Sequence, residues 1–260
     1  MIAGWTALVV AAVVGAASDN EPPGLPPGFR AHVVVSEDVG ADALYRLARP
    51  EVVLWVASRS NLLKASTADR LGLFGEAYVR LRPPLDAQAL RPLARFTHVG
   101  AWLRDEDAPA MAAVLGARLR ALDIDGELTE PRAQRAQAVG ARRTRWAPRK
   151  APTLEEWGRF AQLPGAKVLV WSSGDTLDAG CPLFRSLPSV WWWVDVAQPA
   201  ALGHWVAACG FGIRAAVRES AAAALRPWLA NSGTEIELDV ADDAAASRAV
   251  GLLQALAGGP

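Results

Sequence analysis

From residue 31 onward, short β-type runs alternate with longer segments whose apolar residues recur at helical spacing. The extended runs begin at His32, Val52, Ala77, His98, Ala121, Arg143, Val168, Trp191, Ile213 and Ile236, so successive starts lie about 20–25 residues apart. Between them, Asp86–Phe96 carries a helical stripe that Pro92 shortens. Thr153 stands three residues before Glu156, the spacing of a capping box, and opens a helix through Phe160. The stretch from Asp242 to Ala257 is the longest, with two acids at the positive end of its dipole. The halves also match at an offset of about 115, five units of about 23, placing Tyr78-Val79-Arg80-Leu81 on Trp193-Val194-Asp195-Val196. A strand, a helix of about ten residues and two short loops fill such a unit, and connections that short force neighbouring strands to run parallel. Residues 31–260 therefore read as a single α/β domain of about ten strand–helix units.

Two architectures use such units, an open horseshoe and a closed eight-stranded barrel. Ten candidate strands exceed the eight of the barrel. Several strands also alternate charge with apolar residues, as in Arg80/Arg82, Asp123/Asp125, Arg143/Arg145 and Glu237/Asp239. A strand buried on both faces reads as continuous apolar, so alternation predicts one wet face and favours the open form. The runs at 52–56 and 168–171 are apolar throughout and fit the closed alternative. Segments such as Leu187-Pro188-Ser189-Val190-Trp191-Trp192 and Leu119-Arg120-Ala121-Leu122-Asp123-Ile124 echo an L-x-x-L-x-L core. In this the chain resembles leucine-rich-repeat proteins, which implies a horseshoe with a concave strand face, although the Asn or Cys ladder of that family is absent.

The first 17 residues are uncharged and end in small side chains, with Gly15 and Ala17 matching the small-x-small cleavage pattern of a signal peptide. Residues 18–30 are rich in Pro and Gly and read as a stiff linker. The expectation is an exported protein, periplasmic, secreted or held to a membrane only through an uncleaved N-terminal segment. Lys+Arg and Asp+Glu both number 27, so no global field draws the chain to nucleic acid. Cys181 and Cys209 could pair in an oxidising compartment or remain buried thiols.

Two features suggest chemistry. Asp123-Ile124-Asp125-Gly126-Glu127 looks like the D-x-D-x-E strand of chitinase-type glycoside hydrolases, which implies catalytic Asp123 and Asp125 with Glu127 as the acid. Alternation points all three the same way, and crowded carboxylates raise one pKa, as a general acid requires. An ordinary strand face gives the same pattern, and Glu237 with Asp239 repeats it. The second feature is tryptophan, 11 residues against 2 Tyr and 6 Phe, recurring near one repeat position. On a wet face, Trp102, Trp146 and Trp192 with Arg80, Arg145 and Asp195 would bind a protein or glycan, whereas in short repeats the rings would fill the core. The basic stretch from Arg132 to Lys150 reads as a solvated helix face and the strand after it. His32, His98 and His204 show no metal-ligand spacing, and no motif asks for a cofactor. The favoured function is an exported non-enzymatic binding or scaffold module, with a minimal barrel glycoside hydrolase as the alternative.

Overall fold

Each of the ten extended runs forms a strand: β1 (Arg30–Ser36), β2 (Val52–Ala57), β3 (Glu76–Arg80), β4 (Val99–Arg104), β5 (Leu119–Asp125), β6 (Arg143–Ala147), β7 (Ala166–Val170), β8 (Trp191–Asp195), β9 (Gly212–Ala215) and β10 (Glu235–Val240). The computed structural model describes residues 25, 28–58, 64–150, 152–170, 191–195, 212–215 and 235–258, with side chains of 166–170, 191–195 and 212–215 left aside. The expected signal segment, the start of the linker, Cys181 and Cys209 lie outside these residues. Phe29, in the last part of the expected linker, is buried in the core.

Every neighbouring pair of strands is parallel, and each strand lies beside the next in sequence. The sheet then closes: β1 pairs with β10, from Arg30↔Glu235 to Val35↔Val240. The open horseshoe is thereby corrected to a closed barrel, with ten strands rather than eight. Strand twist and stepwise register shifts bring the two outer strands together, so the backbone groups of each edge find partners. Two side-chain ties also cross this seam. The Ser36 hydroxyl donates to the Ala241 carbonyl at 2.6 Å, and the Gly40 amide donates to Asp243 Oδ1 at 2.7 Å.

Helices cover the outside of the strands. The described ones are α1 (Ala41–Leu47), α2 (Ala65–Arg70), α3 (Ala87–Arg95), α4 (Ala108–Leu115), α5 (Glu130–Val139), α6 (Leu154–Ala161) and α7 (Asp243–Leu256). Among the described residues, no helix is long and apolar enough to cross a membrane. The capping box of α6 forms in full, the Thr153 side chain accepting from the Glu156 amide while Glu156 accepts from the Thr153 amide. Asp86 and Asp242 cap α3 and α7 in the same manner, each accepting from the amide three residues on. Pro92 sits inside α3 without ending it.

The period-two pattern sorts the strand residues into two separate clusters. One set, including Val33, Val35, Leu54, Val79, Leu103, Ile124 and Leu238, packs outward beneath helix residues such as Leu44, Leu252 and Leu253. The other set points into the barrel and includes Val53, Trp55, Tyr78, Trp102 and Ala121. Trp146 belongs to the outer layer, fully buried with its ring 5.1 Å from those of Trp157 and Phe160, so it does not share a face with Trp102. Hydrogen exchange checks the closure. The β1 amides directed at β10 should be protected as well as those of β2, whereas an open edge would exchange early.

Candidate functional site

The charged residues that alternate with apolar ones along the strands line the lumen, and there they are paired with each other. Near the N-terminal end, Trp55 Nε1 donates to His32 Nδ1 at 3.0 Å, which fixes the neutral ring as the Nε2–H tautomer. His32 Nε2 lies 3.5 Å from Glu235. The Trp55 ring stacks on Tyr78 with centroids 4.1 Å apart and meets Trp102 edge-on at 5.3 Å. The Tyr78 hydroxyl donates to Glu76 and accepts from Arg143 Nε at 2.9 Å, while Arg143 Nη2 reaches both Glu76 oxygens at 3.3 Å. Burial pushes the Glu76 carboxyl up, but the Tyr78 hydroxyl and then Arg143 outweigh it and hold its pKa below the ordinary value. Burial, with the nearby Glu76 carboxylate, raises the Tyr78 phenol, against the pull of Arg143.

Midway along the lumen stands Arg145, its side chain 13% exposed, donating from Nη2 to the buried Glu237 at 2.9 Å and lying 3.8 Å from Asp123. Its guanidinium also lies over the Trp55 and Trp102 rings, 5.2 and 5.4 Å from their centroids. Burial disfavours this cation, yet Glu237 and then Asp123 raise its pKa, so the charge is held firmly. Strand register places Arg104, Asp123 and Arg145 side by side across β4, β5 and β6.

At the C-terminal ends of the strands the balance changes. Arg80 ends β3, lies 3.6 Å from Asp123 and rests 4.6 Å over the Trp102 ring. Its pKa is lowered: burial acts first, Asp123 opposes, and repulsion from Arg104, Arg82 and Arg145 adds to burial. Arg80, Arg82 and Arg104 line a cavity of about 280 Å³ together with Leu81, Pro83, Glu106 and Asp107. Arg104 has one exposed ion pair, to Glu106 at 3.5 Å, of a kind that contributes little. Parallel barrels carry their ligand sites at this end, where the strand-to-helix loops meet.

The D-x-D-x-E residues separate. Asp123 faces the lumen between Arg80 and Arg145. Asp125, at the end of β5, is exposed and accepts from Arg149 Nη2 at 2.7 Å, and that bond lowers its pKa. Gly126 then turns the chain at φ +83°, which takes Glu127 off the strand face into an exposed loop. Asp125, Glu127, Arg149 and Lys150 border a second cavity of about 370 Å³. Its β5 side is clamped. Arg132 donates to the carbonyls of Asp125 and Glu127 at 2.9 and 2.7 Å and forks onto the buried Asp105 at 2.9 and 2.7 Å. Of the basic stretch expected to be solvated, Arg132, Arg143 and Arg145 are thus spent on interior or loop contacts. Trp192 and Asp195 lie in β8, in register with Val168 and Arg214 respectively, their side chains outside the described residues.

The residues that sequence reasoning missed are Arg104, Arg82, Glu76, Arg143, Trp55 and Tyr78. Arg82, Arg143, Trp55 and Tyr78 were visible in the alternation and in the aromatic register, whereas nothing local marked Arg104 or Glu76.

No family model matches the chain, and no curated protein matches it. A similar solved structure is titled the 4-hydroxy-2-oxoglutarate aldolase/2-deydro-3-deoxyphosphogluconate aldolase from TTHB1, at 18% identity and a TM-score of 0.38, covering 83% of this chain and 98% of that one. The expected repeat-type protein-binding module is corrected by the closed sheet: the face meant to receive a partner is the lumen, filled by Trp55, Tyr78, Trp102 and ion pairs. The glycoside hydrolase alternative is corrected by the scattering of its acids: Asp123 is paired in the lumen, Asp125 is bound by Arg149, and Glu127 leaves the strand face for an exposed loop.

Two measurements check the lumen network. Arg145→Met removes the buried guanidinium that pairs with both Glu237 and Asp123 and should lower stability by about 3–5 kcal/mol in urea melts. For Glu76, whose pKa is lowered in the fold, the carboxylate stabilises above the ordinary carboxylate range, and that contribution fades as pH falls through the folded value. Wild type should therefore be more stable than Glu76→Gln near neutrality, with the gap closing as pH falls below the ordinary carboxylate range. A gap of constant size would speak against this pairing.

Proposed function

We propose that this protein handles a small anionic substrate, a carboxylate or phosphate, at the C-terminal mouth of its barrel. The observation that carries the reading is the grouping of Arg80, Arg82 and Arg104 around a cavity of about 280 Å³, at the ends and in the loops of adjacent strands. That volume is near the lower end of the range for small-molecule sites. The lowered pKa of Arg80 supports the same reading, because a site that penalises its own cations is relieved by an incoming anion. The exposed pair between Arg104 and Glu106 gives up little when Arg104 turns to a ligand. Position agrees too, since the rim is where closed parallel barrels build sites from loops without disturbing the wall.

Titration with acetate, succinate and inorganic phosphate, followed by tryptophan fluorescence, tests this. At least one anion should give a saturable change, since Arg80 lies over Trp102. Arg104→Ala should weaken that anion by about tenfold or more, the worth of a charge-assisted hydrogen bond. Equal affinity in the variant, or no saturation with any of the three, would sink the reading.

A further inference from the structure

Beneath the mouth, three buried polar atoms meet no hydrogen-bond partner among the described residues: Trp102 Nε1, Arg145 Nη1 and Asp123 Oδ1. They belong to one contiguous group. The Arg145 guanidinium lies 5.4 Å from the Trp102 ring centroid, and Arg145 Nε lies 3.8 Å from that same Asp123 oxygen. Arg80, which lines the mouth cavity, touches both other members, 4.6 Å over Trp102 and 3.6 Å from Asp123. Trp102 is only 3% exposed, so its indole N–H is a donor withdrawn from bulk water. Asp123 and Arg80 remain about one-fifth exposed, 22% and 18%, and Arg80 joins the group to the mouth cavity.

Buried donors and acceptors without partners cost stability, and such atoms gathered at one place mark a position where polar atoms of a ligand belong. Two of the three, the indole N–H and the guanidinium N–H, are donors and ask for oxygen acceptors. The third, the carboxylate oxygen, only accepts and asks for a hydroxyl or amine proton. An amine would be cationic and repelled by Arg80, Arg104 and Arg145, which leaves the hydroxyl. We infer that Trp102, Arg145 and Asp123 form the floor of the mouth site and select a hydroxylated carboxylate, Asp123 Oδ1 accepting from the ligand hydroxyl while Trp102 and Arg145 donate to its oxygens. This rests on the anion-binding reading of the mouth and adds the class of ligand. The pairing is complementary in count: a hydroxy acid brings several acceptor oxygens and one donated proton to a site with several donors and one orphaned acceptor.

The test compares acids of equal charge that differ only in the hydroxyl. Acetate, glycolate and methoxyacetate are titrated by calorimetry into the full-length protein, its Trp102→Phe variant and its Asp123→Asn variant, each checked for folding by circular dichroism. Glycolate should bind about tenfold more tightly than acetate, and methoxyacetate, whose oxygen has no proton to give, no better than acetate. Trp102→Phe keeps a ring but removes the N–H, and should weaken glycolate and acetate alike. Asp123→Asn should shrink the preference for glycolate towards parity. Equal binding of acetate and glycolate by the wild type overturns the inference and leaves the anion site standing, whereas no binding of either acid overturns the inference and leaves the anion reading to the succinate and phosphate titrations. If Asp123→Asn does not fold, the methoxyacetate comparison decides alone: methoxyacetate matching glycolate rejects the role of Asp123.

Discussion

Closing a parallel sheet on itself removes half of its side chains from water, and everything inside this barrel follows from that constraint. The six register pairs between β1 and β10 make the inward face a confined space. A charge there needs a counter-charge within reach, because an isolated buried ion costs several kcal/mol. Arg145 between Glu237 and Asp123 meets that demand at mid-height, and Glu76 with Arg143 meets it lower down. The aromatic rings fill the volume between these pairs, and Arg145 lies over two of them, so packing and charge balance are met by the same residues. Towards the C-terminal rim, among the described residues, three arginines gather with two acids around the cavity.

Much of the fold was legible in the sequence because it is local. Each of the ten runs became a strand, and Thr153, Glu156, Asp86 and Asp242 took their capping places, since a cap depends on three or four consecutive residues. The parallel direction followed from unit length. Closure did not follow, because it depends on the pairing of His32 with Glu237, about 205 positions apart, and on register shifts summed around the whole ring. Alternation along the strands was read correctly as one polar face and wrongly as a wet one. Period two reports polarity and cannot distinguish water from a buried ion pair, as Arg145 and Glu237 show.

The candidate site was legible in part, for the same reason. Arg80, Arg145, Asp123 and Trp102 stood out by type and period, and they do meet in the lumen. Trp146 shared their repeat position yet faces α6, because β6 presents Arg143 and Arg145 to the inside and the tryptophan falls between them. The acidic triplet dissolved at one glycine: the positive φ of Gly126 ends the strand face that the spelling had extended to Glu127. Arg104 carried no local mark, since it gains its meaning only from lying beside Asp123 on the next strand.

The seam has a consequence for how this chain is made. Strands β2 to β10 can each zip onto a neighbour that emerged only about 20–25 residues earlier, a cheap search. The last pairing waits until β10 emerges, so β1 spends most of synthesis as an open, valine-rich edge, the kind of surface that templates aggregation. Arg30, His32 and Ser36 bracket its three consecutive valines, the placement of gatekeeper residues around an apolar strand. The yield of soluble protein is thus tied to how long a ribosome takes to travel from β1 to β10, a property of translation speed rather than of the finished barrel.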